Sequence, residues 1–321
     1  MAVYTEVTDE ELAAFVGAYD IGAVLSLKGI AEGVENSNYL MHTQAGFYIL
    51  TLYEKRVEEA DLPFFLGLME HLSTRGITCP QPVKNRAGAA LGRLAGRPAV
   101  IVTFLDGMWV RRPDAGQCAM VGEALGKLHL AGADFAGRRA NSLSVQGWPP
   151  LLHAVEARAD EITQGLGDLI KQELAHLEGA WPHGLPEGVI HADLFPDNVF
   201  FLSGKLSGLI DFYFACTDAF AYDLAICLNA WCFEADASFN ITKGMALLDG
   251  YERVRALRDE EIAALPTLAR GAALRFLLTR TVDWLNRAPG ALVKPKDPME
   301  YVKKLRFHQR VEGARDYGLN R

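Results

Sequence analysis

No block of basic residues occurs anywhere in this chain of 321 residues, and its formal net charge is −8. Nucleic-acid binding needs a clustered Lys/Arg surface, so a nucleic-acid partner is not expected. Cysteine is scarce and odd in number, at Cys79, Cys118, Cys216, Cys227 and Cys232. The five fall at no metal-ligand spacing and suggest no disulfide framework, which reads as reduced thiols in a cytoplasmic protein. The N-terminus lacks a basic segment followed by an apolar core, so no secretory signal is read there. No apolar run is read as reaching the ~20 residues of a membrane span, and no membrane partner is expected. Internal repeats and low-complexity tracts are also missing. What the chain has is core material: half of it is hydrophobic, enough for one sizeable core or two modest ones.

Periodicity divides that material in two. Thr8-Asp-Glu-Glu11 is a capping box that opens an amphipathic helix through Leu12, Phe15, Val16 and Tyr19. Strand-like runs follow at 23–28, 38–42 and 47–53, the last two joined by the turn Thr43-Gln-Ala-Gly46. A helix is expected over 61–73, extended chain at the prolines Pro80 and Pro82, and a hairpin from 91–94 and 97–104. After Gly107 the pattern turns helical: 115–132, 151–178, 221–233, 241–255, 259–286 and 299–312. The expected organisation is therefore a β-rich lobe over 1–107 and a mainly helical lobe over 108–321.

The most informative stretch lies within the helical part, at 187–213. An apolar run ends at His191, polar residues follow to Asn198, and two further apolar runs flank a Ser-Gly-Lys turn before Asp211. This reads as a loop feeding a tight hairpin, whose geometry would bring Asn198 and Asp211 together. Two carboxylates and an amide are hard oxygen donors, suited to Mg2+ rather than zinc. The order His191-Ala-Asp193-x-x-x-x-Asn198, then Ile-Asp211-Phe, is that of phosphoryl-transfer sites of the kinase type. There the first aspartate orients a hydroxyl, and the asparagine and second aspartate hold the metal.

These residues resemble the catalytic loop of the aminoglycoside-phosphotransferase-like and choline-kinase-like enzymes, and Asp218-Ala-Phe-Ala-Tyr222-Asp223-Leu-Ala fits the same group. Within it, Gly29-Ile-Ala-Glu-Gly33-Val-Glu-Asn36-Ser-Asn38-Tyr, Tyr48-Ile-Leu-Thr51-Leu-Tyr-Glu54 and Leu274-Arg275-Phe-Leu-Leu-Thr-Arg280 are similar to the homoserine kinases. The resemblance runs over nearly the whole chain. It implies an α+β, protein-kinase-like two-lobed fold, with a nucleotide-binding N-terminal lobe and a C-terminal lobe for catalysis and substrate. It also implies ATP and Mg2+, and a small-molecule substrate, homoserine; no motif speaks to oligomeric state.

Site roles follow from the same resemblance. Asp193 is the catalytic base, Asn198 and Asp211 are the metal ligands, and His191 and Asp223 support the loop. Gly33, Ser37 and Asn38 lie on the segment that covers the phosphates. Thr103 and Leu105 lie where relatives bind adenine through backbone groups. Thr51 occupies the strand position where kinases carry a phosphate-binding lysine, and no glutamate faces it from the following helix; Lys28 or Lys55 could compensate. Arg275 and Arg280 are candidates for gripping a substrate carboxylate, against the alternative of structural ion pairs with residues such as Asp283; they sit on opposite edges of an apolar stripe. His129, on an apolar helix, reads as a hydrogen-bonded core histidine rather than a ligand.

The leading reading is ATP-dependent phosphorylation of the homoserine hydroxyl in threonine biosynthesis. A kinase for another small hydroxyl compound (choline, methylthioribose or an aminoglycoside) stands beside it. A protein kinase is disfavoured, because positions 212–222 are too few for a peptide-binding activation segment. A metal-dependent phosphohydrolase lacks a second ligand cluster. An inactive binding module would suit the missing lysine but not the intact Asp193, Asn198 and Asp211.

Overall fold

The computed structural model describes residues 5–30, 36–54, 57–287 and 295–319. It forms two compact units, the first comprising Met1–Gly107, Phe135–Gly137 and Ser207–Tyr213, the second Met108–Asp134, Arg138–Leu206 and Phe214–Arg321.

In the first unit, α1 (Asp9–Val16) opens as its sequence dictates. The Thr8 side chain accepts from the Glu11 N–H, and the Glu11 carboxylate accepts from the Thr8 N–H. A five-stranded antiparallel sheet follows: β1 (Val24–Gly29), β2 (Ser37–Thr43), β3 (Gly46–Leu52), β4 (Leu91–Leu94) and β5 (Arg97–Thr103), in the order β1-β2-β3-β5-β4. Alternation along β2 buries Tyr39 and Met41, which pack with Leu50, Leu52 and Ile101 against Leu12 and Val16 of α1. Between β3 and β4 lies α2 (Leu62–Thr74), with Phe65, Met69 and Leu72 buried at helical spacing.

The second unit is mainly helical. It holds α3 (Ala115–Ala131), α4 (Trp148–Val155), α5 (Leu166–Ala180), α6 (Phe220–Trp231), α7 (Ile241–Glu252), α8 (Asp259–Leu285) and α9 (Met299–His308). The single helix expected over 151–178 is two. Gly165 takes a φ of 81°, and the Asp160 carboxylate accepts the N–H groups of Gly165 and Gly167, ending one run and starting the next. α3 and α7 cross closely because Gly122 has no side chain; a Cβ there would lie 2.0 Å from the Leu247 carbonyl oxygen. α8 is long and apolar enough to cross a membrane by length and composition, contrary to the sequence reading. Arg270, Arg275 and Arg280 mask the run in the sequence, and 67% of its apolar window is buried inside the protein. It is a core helix, packed against α6 and α9.

Four short strands carry the segment of interest. β6 (Glu187–Ile190) pairs antiparallel with β9 (Cys216–Ala219), and β7 (Val199–Leu202) with β8 (Lys205–Leu209). The β7–β8 turn has Ser203 and Gly204 both at positive φ, 51° and 77°, the tight hairpin geometry that matches strand twist. Within β8 the chain passes from the second unit into the first, and after Tyr213 it returns.

Candidate active site

The loop from His191 to Asn198 starts where β6 ends, and its shape is imposed from below by one carboxylate. Asp223, in the first turn of α6 and fully buried, accepts the His191 N–H at 2.7 Å and the Ala192 N–H at 2.8 Å. His129 on α3 places Nε2 3.1 Å from the same carboxylate, and its Nδ1 lies 2.7 Å from the Tyr251 hydroxyl on α7. Arg255 donates to that hydroxyl at 3.1 Å and forks onto Glu261 at the start of α8, at 2.9 and 3.2 Å. The chain of donors is consistent throughout. With the proton on Nε2 donated to the Asp223 carboxylate, Nδ1 accepts from Tyr251, whose oxygen accepts from Arg255.

Burial alone would raise the Asp223 pKa, but the His129 hydrogen bond and the His191 amide hold it below the usual carboxylate range. Burial pushes His129 the other way, below its ordinary value, against the pull of Asp223. A carboxylate and a neutral imidazole therefore meet here, and His129 is the hydrogen-bonded core histidine expected from the sequence.

Above this base, Ala192 is left-handed, with φ 61°, a conformation that a residue with a Cβ seldom takes. The Asp193 N–H donates to His191 Nδ1 at 3.3 Å. Asn198 donates through Nδ2 to the Asp193 carbonyl at 2.8 Å and to its carboxylate Oδ2 at 3.3 Å. His191 and Asn198 are buried and Asp193 is half-buried. The structure thus brings together Asp193, Asn198, His191 and Asp223 of the expected set.

Asp211 belongs to the first unit, where it too is left-handed, with φ 64°. It lies beside Tyr213, whose hydroxyl is pushed up to about 12 by burial, with Tyr53 pulling down and Asp211 raising it. The Tyr213 and Tyr53 hydroxyls are 3.1 Å apart and their rings meet edge to face.

Of the candidate nucleotide residues, Ser37, Asn38, Thr51 and Thr103 lie on the sheet of the first unit. Asn38 and Thr51 face each other in the β2–β3 register, and the Thr51 hydroxyl donates to Asn38 Oδ1 at 2.8 Å. Ser37 is buried and donates to Glu54 at 2.7 Å. Thr103 ends β5, with its hydroxyl accepting the Gln81 N–H at 2.9 Å. The Leu105 side chain packs at Gly208. Gly33 and Lys55 lie outside the described residues, and Lys28 is exposed on β1. Glu70, late on α2, pairs with Lys84 rather than with a strand cation.

The two arginines of α8 have different surroundings. Arg280 pairs with Glu300 of α9 at 2.7 Å rather than with Asp283, and stacks 4.5 Å from the Tyr301 ring centroid. Lys304 shares Glu300 at 2.6 Å and also sits over Tyr301. Burial works to raise the Glu300 pKa, but the Lys304 and Arg280 charges hold it at about 2. Arg275 is buried, donates through Nη1 to the Ala192 carbonyl, and lies 4.5 Å over the Phe276 ring. Nothing in the sequence marks Ala192, Tyr251 or Arg255, because backbone conformation and contacts 122 residues apart leave no local pattern.

A loop held by a buried aspartate in a mainly helical unit, and a small antiparallel sheet in the other unit, are the features of the protein-kinase-like class, and solved structures agree. The chain superposes on an amicoumacin kinase solved with AMP-PNP and Ca2+ with a TM-score of 0.70, covering 94% of this chain and 92% of that one at 17% identity. A spectinomycin phosphotransferase solved with ADP and spectinomycin gives 0.68, covering 97% of both chains at 13% identity. At such identities the likeness shows the fold. The profile of the phosphotransferase enzyme family matches residues 26–257, and the chain belongs to that family. Among curated relatives it is 68% identical over 319 residues to a homoserine kinase of Xanthobacter autotrophicus, covering 99% of each chain. It is 66% identical over 321 residues to a homoserine kinase of Afipia carboxidovorans, covering 100% of this chain and 98% of that one.

Proposed function

We propose that this protein transfers the terminal phosphoryl group of ATP to the side-chain hydroxyl of L-homoserine, giving O-phospho-L-homoserine for threonine biosynthesis in the cytoplasm. The observation that carries this reading is the end-to-end identity of 68% with a curated homoserine kinase, which leaves no segment of either chain unmatched on a large scale.

Asp193 accepts or orients the acceptor hydroxyl's proton, from a loop fixed by Asp223 below and Asn198 beside it. Asn198 and Asp211 are the ligands for Mg2+. Both offer hard oxygen donors, and because Asn198 uses its nitrogen on the Asp193 carbonyl, its carbonyl oxygen is the donor end for a cation. A bound ion would supply charge neutralisation for the phosphate groups. Asn38, Thr51, Ser37 and the Gly33 segment meet the nucleotide, with Thr103 and Leu105 toward the adenine. Arg280 is the cation for the substrate carboxylate. Together with Lys304 it gives two cations to one Glu300, a local surplus of positive charge suited to an anion.

Coupled ADP release tests the reading, with homoserine, choline, methylthioribose and kanamycin offered as acceptors. Homoserine alone should drive turnover. Preference for another acceptor would replace the substrate, acceptor-independent turnover would point to a hydrolase, and no turnover to a binding module.

A further inference from the structure

The peptide that precedes the proposed base is held at both ends. Ala192 has φ 61° and is 1% exposed, so its methyl group is packed in protein while its backbone stays in a region that L-residues disfavour. Its N–H is taken by Asp223 at 2.8 Å. Its carbonyl is taken by Arg275, which reaches across from the middle of α8.

Arg275 is an unusual buried cation. It is 1% exposed, and among the described residues no carboxylate lies within ion-pairing distance of it. Its guanidinium stacks 4.5 Å from Phe276 and 5.7 Å from Phe214, and Nε is buried without a hydrogen-bond partner among the described residues. Removing a cation from water without a counter-charge is costly, so such a residue persists where a particular oxygen needs it. The oxygen it donates to through Nη1 is that of Ala192, and the Tyr222 hydroxyl lies close to the same guanidinium.

We propose that Arg275 is a positioning residue. By holding the Ala192 carbonyl it fixes the left-handed turn at Ala192 and so aims the Asp193 carboxylate at the acceptor hydroxyl. This takes the place of the substrate-carboxylate role expected for Arg275 and leaves that role to Arg280. Without the guanidinium the Ala192 carbonyl loses its hold, and relaxation of Ala192 toward negative φ would swing Asp193 out of line. The proposal rests on Asp193 being the base.

The test is steady-state kinetics of Arg275→Met, alone and combined with Ala192→Gly, with homoserine and with homoserinol, which lacks the carboxylate. Misplacement of a base by about 1 Å costs about 10²-fold in rate, so Arg275→Met should lower kcat by roughly that factor with both KM values little changed. Glycine adopts positive φ freely, so adding Ala192→Gly should recover roughly tenfold of the lost kcat. Neither a purely structural role nor a substrate contact predicts that rescue. Arg275→Lys, which keeps the charge and most of the stem, takes the same measurements if the methionine variant does not fold. Wild-type kcat in the variants, or a loss that glycine does not repair, overturns the proposal. So does a loss confined to the homoserine KM that vanishes with homoserinol. Failure of the wild type itself to phosphorylate homoserine would instead remove the functional reading, before Arg275 is in question.

Discussion

At the scale of single residues, the proposed site divides into groups assigned to the chemistry and groups that hold them. Asp211 supplies the full negative charge of the proposed metal pair. Asp211→Ala should therefore abolish Mg2+-dependent nucleotide binding in calorimetry while leaving the weak metal-free binding in EDTA, and unchanged Mg·ATP affinity would contradict the assignment. Arg280 and Lys304 put two cations on the single Glu300 carboxylate, a surplus suited to a substrate carboxylate. Truncating one partner of a desolvated charge pair costs roughly 2–5 kcal/mol, so Arg280→Ala should raise the homoserine KM by about tenfold or more. The ATP KM should hardly move, and homoserinol, already poor with wild type, should lose little further. Wild-type homoserine KM in this variant would place the carboxylate elsewhere. The proposed reacting set could be put forward from the sequence, because Asp193, Asn198 and Asp211 stand in a fixed order with fixed spacing. How they are held was not legible there: Ala192 in sequence is only an alanine, and its left-handed backbone depends on Asp223 and Arg275, remote in the chain.

Elements were legible where local rules decide them. The capping box of α1 and the β7–β8 hairpin turn needed only neighbouring residues. β9 was not foreseen, because Cys-Thr-Asp-Ala has no strand-like alternation and its pairing partner β6 lies well upstream. α9 is instructive energetically. Its buried His308 bonds Tyr317 at 2.8 Å and Asn229 at 3.1 Å, and burial, with Lys304 and Arg270 nearby, lowers its pKa to about 3. The folded state thus refuses a proton that the unfolded chain accepts below about 6.5. Its contribution is intact above that pH and lost as pH falls toward 3, by about 1.4 kcal/mol per unit. His129, also shifted down, acts in the same direction. The urea midpoint should fall between pH 7 and pH 5, a window above most carboxylate titration, and His308→Gln should flatten that slope. An identical slope in the variant would show that His308 is not the group responsible.

For the whole molecule, the sequence pointed to the family more securely than to any single contact, since the catalytic order and the long match to homoserine kinases are global features. It placed α8 but not its apolar length or the depth of its burial, because three arginines interrupt the run. In the fold Arg275 and Arg280 are buried, and they point their charge at the loop and at α9. The central claim is that this architecture phosphorylates the homoserine hydroxyl with Asp193 as base. Phosphorus NMR of the protein with Mg·ATP and L-homoserine measures it most directly. Wild type should convert ATP to ADP with matching growth of a phosphomonoester signal from O-phospho-L-homoserine, and Asp193→Asn, folded and still binding Mg·ATP, should form it about 10²–10⁴-fold more slowly. Phosphate released without the monoester, or an Asp193→Asn protein within a few-fold of the wild-type rate, would contradict the account.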